Sequence, residues 1–294
     1  MHMKNKKNPH LIFVFLIFLI LPTLLNAQTS SLTQDIKSPE IQKILNRGKL
    51  IVALPALTTP LFFERNANNE LYGLEIENAR AIGKALGVPV VFNTSATTFD
   101  AIPKLIAEGK ADIAICDLTI TLPRAMKIFF TQPYVVTNHA LLINRLWLAQ
   151  QEARYLSSKQ QEINAVDLLK SEPQTISLLQ GSSYVYMATN AFPKATLQTF
   201  PTIDALFEAV KQNKVNVMFD DDFNIKLFLL ENPSVGLKYK SIVLTNLPNP
   251  IAMGVAPGNQ HLLHWLNLYI DASQLHYDTD KLIEYYMSHK NDKK

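Results

Sequence analysis

The sequence predicts an α/β protein built as two lobes, each around a mostly parallel sheet, facing one another across a ligand cleft. An internal repeat, an alternation of strand and helix patterns, and an aspartate closing a strand in each repeat copy carry that prediction. Residues 98–117 (TFDAIPKLIAEGKADIAICD) and 202–221 (TIDALFEAVKQNKVNVMFDD) align without a gap, pairing Thr98 with Thr202, Asp100 with Asp204, Lys110 with Lys214 and Asp117 with Asp221. Each copy opens on a threonine suited to cap a helix and continues with apolar residues at helical spacing. It then turns at Gly109-Lys110 or Asn213-Lys214 and ends in a short apolar strand, 113–116 or 217–219. Ligands in open α/β sheets bind beyond the carboxyl ends of strands, so two facing lobes bring Asp117 and Asp221 to one shared site.

The remaining elements follow in order. Ser38-Pro39 opens a helix with Ile41, Ile44 and Leu45 on its inner face and Gly48 closing it. A strand over 50–54 precedes an amphipathic helix carrying Ile76, Ala79, Ile82 and Leu86, stopped at Gly87. Residues 146–163 (LWLAQQEARYLSSKQQEI) have no counterpart in the repeat and read as a surface insertion. In the second half a strand over 175–179 leads into a helix opened by Gly181-Ser182-Ser183. Asn259 and Thr279 are the expected caps of two last helices, one with Leu262, Leu266 and Ile270, the other with Leu282 and Tyr286. Strands near 141–145 and 245–253 are expected to cross between lobes, dividing the chain into 28–144 with 249–294, and 145–248.

Composition narrows the function. Of 294 residues, Lys+Arg number 28 against Asp+Glu 25, a formal net charge of +3. Lys4, Lys6 and Lys7 account for that surplus, leaving 25 bases and 25 acids in the rest of the chain. A neutral remainder offers no electrostatic footprint for nucleic acid. The three lysines precede an apolar run, 11–21, then Pro22 and a small residue at Ala27. That is the layout of a secretory signal over 1–27, with a run too short to span a bilayer, and it predicts an exported, periplasmic protein. Cys116 is the single cysteine, so no internal disulfide or cysteine-based zinc site forms. No G-x-G-x-x-G, Walker A, G-x-S-x-G or H-E-x-x-H motif occurs. Neither a cofactor nor a metal is expected. His261, His264 and His276 read as surface or packing residues.

The stretches Gly48-Lys49-Leu50-Ile51-Val52, Gly73-Leu74-Glu75, Gly109-Lys110-Ala111-Asp112, Thr119-Ile120-Thr121-x-x-Arg124, Gln132-Pro133-Tyr134, Gln180-Gly181-Ser182-Ser183 and Val217-Met218-Phe219-Asp220-Asp221 occur in this order. Together they resemble the extracellular solute-binding protein family 3, the periplasmic proteins that capture polar amino acids for ABC importers. The resemblance covers nearly all of the chain after residue 27. It implies the type II periplasmic binding protein fold, an amino-acid-like ligand, a membrane ABC permease as partner, a monomer, and capture by hinge closure without catalysis.

The chemistry of the residues stands beside that resemblance. An amino acid is a carboxylate and an ammonium on one carbon, so its site needs fixed donors and a fixed acid. Arg124 offers a planar fork for two parallel bonds to a carboxylate, with Thr119 and Thr121 as further donors, and the resemblance implies that Arg124 clamps the α-carboxylate. Ser182 and Ser183 open a helix whose unpaired N–H groups suit the same carboxylate. By resemblance Asp221 pairs with the α-ammonium, with Asp220 and Asp222 as neighbouring alternatives. Asp117 departs from the small or hydroxyl residue usual in the family, and an acid there is placed to meet a basic side chain. The loop 55–60 lacks both the acid common in binders of basic amino acids and an aromatic platform at Thr58, which leaves the solute open. Phe62, Phe63, Phe99 and Tyr184 are candidate apolar walls. Two rival readings share the scaffold: a cyclohexadienyl dehydratase-like enzyme, against which Asn224 stands where that group places a glutamate, and a ligand-binding sensor subunit.

Overall fold

The computed structural model describes residues 38–289, and the expected leader, 1–27, lies outside them. The chain divides into two compact units, Met1–Pro39 and Glu40–Lys294; of the first, only Ser38 and Pro39 are described. Among the described residues the strands are β1 (Leu50–Pro55), β2 (Glu64–Arg65), β3 (Leu71–Tyr72), β4 (Val90–Ala96), β5 (Ile113–Ala114), β6 (Phe129–Phe130), β7 (Val135–Asn144), β8 (Thr175–Leu179), β9 (Thr196–Phe200), β10 (Val217–Asp221), β11 (Tyr239–Ile251), β12 (Gly254–Val255) and β13 (Tyr277–Asp278).

The repeat builds two equivalent halves. In the first sheet β1 lies between β4 and β5, parallel to both; in the second β8 lies between β9 and β10, again parallel to both. Each half is thus a βαβαβ unit with its first strand central. The central strands are apolar runs, LIVALP and TISLL, and nearly every residue in them is buried because helices cover both faces. Both sheets then gain antiparallel strands. β7 runs against β10, and β12 runs against β5 with β6 on its far side. β11 pairs with β7 over most of its length, the register shifting between Val243 and Pro248. One buried cluster continues from Leu50 and Ile82 through Val135 and Leu141 to Phe219.

Several elements differ locally from expectation. Thr202 caps its helix through Oγ1, which accepts from the Ala205 N–H at 3.1 Å. Thr98, its repeat partner, makes no cap bond. Its side chain lies instead where a Cβ on Gly181 would come within 2.6 Å, and Gly181, at φ +64°, accepts the Asp100 N–H through its carbonyl at 3.0 Å. Gly181 is glycine because the two halves touch there. Asn259 makes no side-chain cap either. The last helix is capped by Asp278, which accepts from the Lys281 N–H, while Thr279 donates its hydroxyl to Asp222. Residues 146–163 form most of the helix Arg145–Lys159, capped by Asn144, with Leu148 its buried residue. β5 stops at Ala114, matching the two-residue β12 beside it, whereas β10 runs on to Asp221 opposite His139 of β7.

Gly73 sets the start of the helix Leu74–Leu86. At φ +116° its backbone lies so close to the preceding loop that a Cβ would meet the Phe62 and Leu61 carbonyl oxygens at 2.6 and 2.7 Å. The approach lets Leu74 N–H and Glu75 N–H donate to those two carbonyls at 2.9 Å each. Gly73→Ala combines a backbone clash with a strained dihedral and should lose about 2 kcal/mol or more of unfolding free energy; urea denaturation of the purified protein reads this directly.

Candidate functional site

A cavity of about 360 Å³ opens at the carboxyl ends of the strands of both sheets. The first half contributes the loop 55–60 after β1, Arg65 of β2, Leu71 of β3, Thr94 of β4, and Phe99, Asp117, Thr119 and Arg124; the second contributes Leu179, Ser182, Ser183, Tyr184, the segment 202–204, Asp220 and Asn224.

Arg124 is held by its own short helix, Leu122–Ala125, whose first N–H groups would be unsatisfied without Thr121. The Thr121 hydroxyl accepts from the Arg124 N–H at 3.4 Å, and Pro123 needs no partner there. The guanidinium is almost fully buried. Nη1 donates to the Thr119 carbonyl at 3.0 Å, while Nε and Nη2 both donate to Asp100 Oδ1, at 3.2 and 2.8 Å. Asp100 itself is half-exposed, so the buried guanidinium is paired with a partly solvated carboxylate. The repeat, which pairs Asp100 with the cavity-lining Asp204, is the signal in the sequence for both.

Across the cavity Ser182 caps the helix Ser183–Ala191. Its Oγ accepts from the Tyr184 N–H at 3.3 Å and donates to the Leu179 carbonyl at 2.8 Å. The Ser183 hydroxyl is thereby free to reach over and donate to Thr119 Oγ1 at 2.9 Å, a direct bond between the halves. Thr121 does not line the cavity; it acts on the site through Arg124.

The three adjacent acids separate into three roles. Asp221, expected at the ligand, is absent from the cavity lining. Its Oδ1 accepts from the Asn224 N–H at 2.7 Å, capping the helix Asp222–Glu231, and its Oδ2 accepts from the Tyr184 hydroxyl at 3.1 Å. Asp220 lines the cavity instead. Its Oδ1 accepts from Asn224 Nδ2 and the Asp221 N–H, both at 2.8 Å, and its buried Oδ2 has no partner. Asp222 accepts from Asn138 N–H and the Thr279 hydroxyl, tying β7 to the last helix. The physical reason is register. Because β10 continues to Asp221, successive carboxylates point to opposite sides, and the last one meets the start of a helix.

Burial governs the titration of this cluster. It pushes Asp220 up to about 6, against the opposing pull of Asn224, the Asp221 backbone and the nearby Tyr184 hydroxyl. Asp221 is raised well above the carboxylate range by burial and then by the charge of Asp220. Asp117, half-buried in the left-handed conformation at φ 55°, is raised by desolvation and by Asp221, Glu75 and Asp220, with Arg124 pulling the other way. Among the expected walls, Phe99 and Tyr184 line the cavity. Phe62 and Phe63 are buried in the core. His139 lies behind Tyr184 and Phe219, at ring-centroid distances of 5.7 and 5.2 Å, with neither ring nitrogen hydrogen-bonded.

Two βαβαβ halves joined by paired crossing strands, with a buried arginine and a cluster of acids where they meet, define a two-lobed solute-binding protein. Residues 50–289 match the model of the bacterial extracellular solute-binding proteins, family 3, and the chain belongs to that family. It is 24% identical over 211 residues to the ABC transporter arginine-binding protein 1 of Escherichia coli (strain K12), covering 71% of this chain and 79% of that one. The cyclohexadienyl dehydratase of Pseudomonas aeruginosa is 22% identical over 202 residues, covering 68% and 69% of the two chains. Among solved structures, a putative binding component of an ABC transporter from Wolinella succinogenes, complexed with lysine, superposes with a TM-score of 0.63 at 24% identity, over 81% of this chain and 95% of that one.

The buried imidazole gives the site a pH signature. Burial lowers His139 from 6.5 to about 4. A depressed folded-state value means that its contribution to stability is complete above about 6.5 and is lost as the pH falls toward 4. Between pH 7.5 and pH 5 the wild type should lose about 2 kcal/mol through this group. His139→Phe should remove that loss, so the difference in unfolding free energy between wild type and variant should change with pH by this amount. A constant difference in urea titrations at the two pH values would exclude the effect.

Proposed function

We propose that the protein captures an amino acid with a cationic side chain in the periplasm and presents it to the permease of an ABC importer. The observation that carries this reading is the charge of the cleft. Arg124 is already matched by Asp100, and among the other charged residues lining the cavity the three acids Asp117, Asp204 and Asp220 outnumber the one base, Arg65. On this reading the ligand α-carboxylate takes Arg124 from Asp100 and meets Thr119, Ser182 and Ser183 at the helix N-terminus. The α-ammonium takes the unpartnered Asp220 Oδ2 and Asn224 Oδ1, with Asp221 holding Asn224 and Tyr184 in place. The side-chain cation faces Asp117. The names of the arginine-binding relative and the lysine-bound neighbour support the same class of solute.

Closure is a hinge motion between 28–144 with 249–294 and 145–248, about the paired strands β7 and β11, in a monomer exported by cleavage after Ala27. Closed and open forms differ in solute affinity, and that difference performs the work without catalysis. The dehydratase relative keeps an enzyme reading in view. Against it, Asn224 stands on the cleft, and a carboxamide is no general acid. Purified protein should therefore leave prephenate and L-arogenate unchanged; release of phenylpyruvate or phenylalanine would overturn the binding-protein reading. A sensor role differs only in the downstream partner, and a permease and ATPase encoded beside the gene would decide for uptake.

Two outcomes test the ligand assignment. In a thermal-shift panel of amino acids, polyamines and dicarboxylates, L-arginine or L-lysine at 100 times Kd should add about 2.7 kcal/mol of stability, and Arg124→Ala should lose the shift. Asp220→Asn should weaken the same ligand about 100-fold by calorimetry, as expected for a charged hydrogen bond. An unchanged affinity would remove Asp220 from the site.

A further inference from the structure

Glu75 is fully buried directly behind the cleft, at the start of the helix that Gly73 anchors. Its Oε1 accepts two bonds, from the Tyr134 hydroxyl and, at 3.1 Å, from the Asp117 N–H; its Oε2 has no partner. Among the described residues no cationic side chain pairs with it. The titratable groups facing it are Tyr134, just ahead of β7, Cys116 and Asp117 beyond β5, and Tyr277 of β13. Asp117 in turn is a non-glycine residue at φ 55°, a conformation that costs free energy unless its surroundings impose it. Here the surroundings are the Glu75 carboxylate, which captures the backbone N–H of that turn.

We propose that Glu75 is a positioning residue: it holds Asp117 in the left-handed turn that presents its carboxylate to the cleft, and its own charge tunes how strongly the cleft holds a cationic solute. The inference rests on the cationic ligand of the preceding section for its affinity arm only. Burial raises Glu75 to about 7, against the bonds from Tyr134 and Asp117, so its charge changes within an ordinary working pH range. The sign follows from electrostatics. An ionised Glu75 adds negative charge behind Asp117 and favours a bound cation. Protonation withdraws that charge, and by linkage the cation expels the proton. Capture is tightened as the pH rises through 7 and weakened as it falls.

Two measurements on the purified protein test this. In the ligand-free wild type the Asp117 amide resonance should titrate with a midpoint near 7, and Glu75→Gln, whose amide oxygen can accept the same two bonds, should flatten it. By calorimetry the wild-type Kd for L-arginine should fall about tenfold between pH 6 and pH 8.5, and about threefold or less in the variant. If Glu75→Gln fails to fold, Tyr134→Phe removes a bond that favours the ionised form and should move the amide midpoint upward. An Asp117 amide that does not titrate, a midpoint unmoved by Tyr134→Phe, or a Glu75→Gln variant keeping the wild-type pH span would overturn the proposal. Failure of the wild type to bind either L-arginine or L-lysine at any pH would instead overturn the ligand assignment, and the amide titration would still decide the role of Glu75.

Discussion

Each βαβαβ half ends on a strand, β5 or β10, whose outer edge would otherwise carry unpaired backbone N–H and C=O groups. The chain closes both edges with antiparallel strands from outside the two units: β7, which lies between the units in sequence, covers β10, and β12, which lies beyond the second, covers β5. That arrangement sends the chain across twice, and the two long strands β7 and β11 lie paired beside one another. The residues that follow β1, β5, β8 and β10 then line one cavity. The site exists because two open edges were completed in this way, and its side chains are those that happen to follow the strand ends.

The electrostatics of the cavity follow from where it lies. A guanidinium removed from water is costly unless paired, and Arg124 meets that demand with Asp100 and the Thr119 carbonyl. The carboxylates have no such partner. Asp117, Asp220, Asp221 and Glu75 are all pushed upward by loss of water, and three of them raise Asp117 further. Protons and cations therefore compete for the same negative charge. The serine-capped helix and the Ser183–Thr119 bond add neutral donors on the opposite wall.

Much of this was legible in the sequence. The ungapped repeat announced two equivalent halves because helix, turn and strand-end chemistry are local and recur wherever the local residues recur. Arg124 was legible from its threonine and proline context, and Ser182 from the glycine before it, since capping depends on residues within three positions of the helix start. Less was legible where one half answers the other. Thr98 looks like a cap by its repeat partner, yet it packs on Gly181 from the second half. His139 gave no sign of burial among aromatic rings, and Glu75 read only as part of a matching stretch.

The run Asp220-Asp221-Asp222 shows the division most clearly. By itself the sequence determined that carboxylates stand at the end of a strand and at the start of a helix, and that an arginine able to grip a carboxylate lies in the other lobe. Which acid meets the cavity was decided only in the folded molecule, by how far β10 continues beside β7 before the next helix begins. Side chains on a strand alternate with every residue, so one additional paired position exchanges the cap for the cavity wall, and that pairing partner is far away in sequence.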